Sequence, residues 1–131
     1  MHHKHKLFYL VIGILLIISV TCSCPLSGLT SGPSIVGTWE GIYDQYTLEM
    51  VFESNGDFIL NMNGQEAGRG QYSVDQSASP VGLDLHYSDD VDIYSIIEFT
   101  DANTLRMENP DAGEARLTSF SDAVTLQRAT P

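Results

Sequence analysis

Basic residues are scarce in this chain: Lys and Arg number 6 against 17 Asp and Glu, for a formal net charge of −11. Lys4 and Lys6 sit in the first six residues, so from Cys24 onward only Arg69, Arg106, Arg116 and Arg128 oppose all 17 carboxylates. A surface this acidic repels phosphate backbones, and no nucleic-acid partner is expected. Nor would the folded part dock on anionic lipid through its own surface. The acidity serves solubility. Cysteine is nearly absent too. Cys22 and Cys24 are the only two, and with none beyond them the rest of the chain forms no internal disulfide. After His2, His3 and His5 the only histidine is His86, and one histidine without cysteine makes no zinc site of the usual kind. The three early histidines fall in a segment expected to be removed or held at the membrane, so they are not read as a metal tract. Helix-period stretches of useful length are missing after residue 34.

What the first 34 residues do contain is an export signal. Met1 to Lys6 is short and basic, and Leu7 to Val20 is an apolar run of 14 residues. Secretory apolar cores span about 7–15 residues, whereas a bilayer-crossing helix needs about 20. A signal peptide over residues 1–23 is therefore expected. The run ends Val20-Thr21-Cys22-Ser23-Cys24-Pro25, which resembles the relaxed lipobox of prokaryotic lipoproteins. That resemblance implies cleavage before Cys24 and lipidation of its sulfur, with a stable membrane tether from more than one acyl chain. An ordinary cleaved signal or a retained anchor helix are the alternatives. Residues 24–34, rich in Gly, Ser and Pro, form a flexible linker.

From residue 35 to 131 there is room for one domain of about 95 residues, large enough for a core without metals or disulfides. Alternation of apolar and polar residues recurs through it, the pattern of strands with one buried face. Tyr46, Leu48, Met50 and Phe52 share one face of the first clear strand, and Phe58, Leu60 and Met62 one face of the next. Asn55-Gly56 between them predicts a type I′ hairpin turn. A turn is expected over Gly64 to Gly68, and further strands over Arg69–Asp75, Gly82–Ser88, Val91–Thr100, Thr104–Glu108, Glu114–Phe120 and Ala123–Arg128. Val91–Thr100 has apolar residues on both faces. The fold class is all-β. About eight to nine short strands in an up-and-down meander must bury their apolar face by closing into a small barrel or folding into a sandwich. Some twenty inward apolar side chains largely fill an eight-stranded barrel of about this size, leaving at most a small cavity.

Gly37-Thr38-Trp39 on the first strand resembles the Gly-x-Trp signature of the lipocalin-like (calycin) superfamily, and avidin-type barrels also begin with Gly-Thr-Trp. In lipocalin-like proteins the tryptophan plugs one end of the barrel and a late arginine packs over its ring. By resemblance, Gly37, Trp39 and Arg128 form a structural plug, and the chain looks like the short lipocalin-like domains of prokaryotic lipoproteins.

Chemistry beyond binding finds little support. Asp89, Asp90 and Asp92 are the densest acidic cluster, but their spacing fits no EF-hand loop, and a solvated turn is expected there. No Ser or Cys stands in a nucleophile-elbow context, and no carboxylate pair is singled out for glycoside hydrolysis. The chain is therefore read as no enzyme, with no metal and no cofactor. The leading expectation is a lipid-anchored binding module on the extracytoplasmic face of the cell membrane. Its barrel mouth takes a small apolar ligand lined by Tyr43, Met50, Phe58, Tyr72, Tyr87 and Phe99. The alternatives are a secreted form and a filled barrel that serves as an envelope interaction or assembly module. In the second case the envelope protein partner would dock on an outer apolar patch at Tyr94 and Ile96.

Overall fold

The alternating segments after residue 36 become eight antiparallel strands in the computed structural model, which describes residues 32–130. The signal segment, Cys24 and most of the linker lie outside the described residues. The strands are β1 (Gly37–Tyr43), β2 (Tyr46–Phe52), β3 (Asp57–Met62), β4 (Gln65–Asp75), β5 (Val81–Tyr87), β6 (Asp92–Asp101), β7 (Thr104–Glu108) and β8 (Val124–Arg128). Each pairs with its sequence neighbour, and β1 pairs with β8 through Trp39↔Arg128, Glu40↔Gln127 and Gly41↔Leu126. The sheet thus closes into a barrel in simple meander order. Closure satisfies the edge strands that a flat sheet would leave open.

Inward positions follow the period-2 rule. Trp39, Met50, Phe52, Phe58, Leu83, Leu85, Ile97, Leu105, Met107 and Leu126 make one buried cluster. Two turns differ from expectation. At 53–56 only Gly56 takes a positive φ (95°), with the Gly56 amide donating to the Glu53 carbonyl, so the turn is type I followed by a left-handed glycine rather than type I′. The two-residue turn with both φ positive is Asn63-Gly64 (52° and 79°), and Gln65 to Gly68 belong to β4 instead of a turn. One residue of β4, Ala67, bulges between the pairs Leu60↔Gly68 and Asn61↔Glu66.

The expected strand over Glu114–Phe120 is absent. Residues 109–123 instead form one irregular connection that crosses the outside of β5, β6 and β7. Arg116 bonds the Ser95 carbonyl (2.8 Å), pairs with Asp84 and lies 5.7 Å from the centre of the Tyr94 ring. Arg106 on β7 stacks over Phe120 at 4.6 Å. This strap explains the two-faced hydrophobicity of β6. Ile96 points outward yet is fully buried, so the expected outer patch at Tyr94 and Ile96 does not form; only Tyr94 is partly exposed.

Candidate functional site

The barrel has two unlike ends. One carries residue 36, the turns at 53–56 and 101–103, and the end of β8; the other carries the turns at 44–45, 63–64 and 88–91 and both roots of the strap.

Trp39 closes the first end. It is wholly buried, its indole Nε1 donates to the Ile35 carbonyl at 2.7 Å, and Phe99 packs against it at 5.9 Å. Arg128 lies over the indole face, 4.3 Å from the ring centre. Its guanidinium donates to the carbonyls of Val36 (2.8 Å), Ser34 (2.8 Å) and Ala102 (3.1 Å), tying the entering chain and the β6–β7 turn to β8. Gly37 has φ +135°, and a Cβ there would stand 2.7 Å from Arg128 Nη1. Gly37 thus supplies both a backbone shape that L-residues rarely adopt and the space for the arginine. The three residues form one cap.

The opposite end is open. A cavity of about 380 Å³ lies there, within the range of small-molecule sites. Its apolar wall is Leu48, Met50, Leu60, Met62, Met107 and Val124, with the rings of Tyr43 and Tyr87 at the sides. The chain has four methionines, and all three after Met1 line this cavity. Thioether side chains are flexible and polarisable, and they suit surfaces that adapt to apolar guests. Tyr87 is held by a T-shaped contact with Phe58 (5.0 Å) and lies where a side chain at Gly68 would otherwise stand, 2.6 Å from the Cβ position. Burial, and secondarily the nearby Asp89 charge, raise the Tyr87 pKa, so its hydroxyl stays protonated.

Of the six aromatic and methionine residues expected at the mouth, Tyr43, Met50 and Tyr87 line the cavity. Phe58, Tyr72 and Phe99 do not. Phe58 is fully buried behind Tyr87, Tyr72 packs edge-on to Phe52 with its hydroxyl on the Glu53 carbonyl, and Phe99 sits against Trp39 at the capped end. Alternation signalled that all three point inward but carried nothing about their height along the barrel axis. Sequence reasoning missed Met62, Met107 and the strap residues. The shared face of Leu48, Met50, Leu60 and Met62 was a usable signal for the first.

The rim is acidic. Glu108, Asn109, Asp111 and Asp122 contribute to the cavity lining. Glu108 is buried, and it accepts hydrogen bonds from the Asp122 amide (2.7 Å), the Ser121 amide (2.8 Å) and the Ser121 hydroxyl (3.0 Å). The two amides are the chief cause of its lowered pKa. This carboxylate pins the returning end of the strap to β7. On the far side of the barrel wall His86 is half-exposed and bonded to Asp92, which raises its pKa. Among the described residues no group of three His, Cys, Asp or Glu side chains is placed to hold a metal ion.

Set against family models, curated proteins and solved structures, the chain matches none of them.

Proposed function

We propose that the chain is a cell-envelope lipoprotein. In this account its lipocalin-like barrel is a non-catalytic module that binds a small apolar ligand at the mouth opposite Trp39. The observation that supports binding is the cavity of about 380 Å³ with all three methionines after Met1 in its wall. A core filled only for stability would be close-packed, because voids forfeit dispersion contacts. The closed antiparallel meander and the Gly37–Trp39–Arg128 cap are compatible with a lipocalin-like architecture. Tethering is a separate part of the proposal and rests on Ser23-Cys24 after the apolar run. Native mass spectrometry of protein purified from its membrane tests the first part, and a bound apolar small molecule is the expected finding. A barrel that is empty after purification and takes up no apolar probe contradicts it. For the tether, Cys24→Ser should abolish processing and membrane retention; unchanged behaviour would refute lipidation at Cys24.

A further inference from the structure

The same mouth carries information about the charge of its guest. Its polar lining comprises Glu108, Asn109, Asp111 and Asp122, with no basic residue among them. The four arginines of residues 32–130 are all engaged elsewhere. Arg69 pairs with Glu66, Arg106 with Glu98, Arg116 with Asp84, and Arg128 caps Trp39. Nothing in the cavity wall can therefore neutralise a carboxylate or phosphate. An anionic guest would meet only like charge at this rim, which is unfavourable for it. Glu108 is already committed to the amides of Ser121 and Asp122, whereas Asp111 and Asp122 have no ion-pair partner among the described residues. They line the same mouth as Tyr43 and Tyr87, and aromatic faces attract cations.

We infer that the mouth selects an apolar cation: a hydrocarbon body seated among Met50, Met62 and Met107, with an ammonium head at Asp111, Asp122 and the tyrosine rings. This rests on the mouth being a ligand site, as proposed above. The strap has a second role in this account. Besides covering Ile96, its two roots bring Asp111 and Asp122 to the rim from the connection between β7 and β8, next to the apolar opening.

Three probes of one chain length separate charge from greasiness: decyltrimethylammonium, decanol and decanoate, each below its micelle concentration and titrated calorimetrically into the purified protein. The ammonium should bind about tenfold more tightly than the alcohol, and the carboxylate more weakly than both; the preference should shrink as ionic strength rises. In the double variant Asp111→Asn/Asp122→Asn the ammonium should fall to the affinity of decanol, with decanol itself unchanged. Glu40→Gln/Glu53→Gln removes the same charge away from the mouth and should keep the preference. Equal binding of ammonium and alcohol overturns the charge selection alone. So does a preference that survives the rim variant or is lost equally in the remote one. If none of the three probes binds, the binding module falls with it.

Discussion

At the scale of single residues, Arg128 does more than its place on β8 requires. It stacks on Trp39 and satisfies three backbone carbonyls from two other parts of the chain. A lysine keeps the charge but replaces a planar fork with a point donor, which cannot reach the Val36, Ser34 and Ala102 carbonyls together while stacking on the ring. Arg128→Lys should cost about 2–3 kcal/mol, from the cation–π contact and the lost charge-assisted bonds. Chemical denaturation would read this, and a cost within error would show the cap to be incidental. Glu108 gives a pH dependence. Its pKa is lowered on folding by the Asp122 and Ser121 amides, so its contribution is present above the unfolded value of about 4.3 and is lost as pH falls through the lowered folded value. The protection factors of the Ser121 and Asp122 amides, taken against their intrinsic exchange rates, should therefore fall in acid, and Glu108→Gln should lower them already at neutral pH. The contact between Trp39 and Arg128 was expected only through the resemblance of Gly37-Thr38-Trp39 to lipocalin-like barrels. The anchoring by Glu108 was not legible, because it joins a strand end to loop amides whose position no periodicity encodes.

At the scale of elements, hydrophobic alternation located the strands well and the turns less well. Asn55-Gly56 and Asn63-Gly64 are the same dipeptide, yet only the second forms the two-residue turn with both φ positive. The choice is made by register. Phe52 must face Phe58 and Met62 must face Gln65, and these pairings leave five residues between them in the first connection and two in the second. Strand tilt likewise decides which inward residues reach the mouth, so Tyr87 lines the cavity while Phe99 lies at the cap. The strap was the largest departure. Glu114–Phe120 has the composition of a strand, but β7 already pairs with β6 and β8 and offers no free edge. The segment lies flat over Ile96 instead, held by Arg116. Arg116→Ala should destabilise the protein by about 1–2 kcal/mol, for one partly exposed ion pair and a carbonyl bond lost. Limited proteolysis should then cut first between residues 110 and 122 while the strand amides stay protected. Simultaneous loss of strand protection would mean that the strap is integral to the barrel.

At the scale of the whole molecule, the barrel is asymmetric along its axis: capped by Trp39 and Arg128 at one end, open and acidic at the other. The closed cap fixes the ends of β1, β6 and β8, and the chemistry left at the mouth is apolar, adaptable and negatively charged. Binding of an apolar guest at this mouth, as proposed, would be felt first by the side chains of its wall. Its most direct test uses the methionines themselves, labelled with ¹³C at the methyl group and followed by NMR as decyltrimethylammonium and decanol are added. The Met50, Met62 and Met107 resonances should shift together and saturably, with Met50→Arg abolishing the response of the other two. Three methyl signals that stay in place while the protein remains folded would contradict the account.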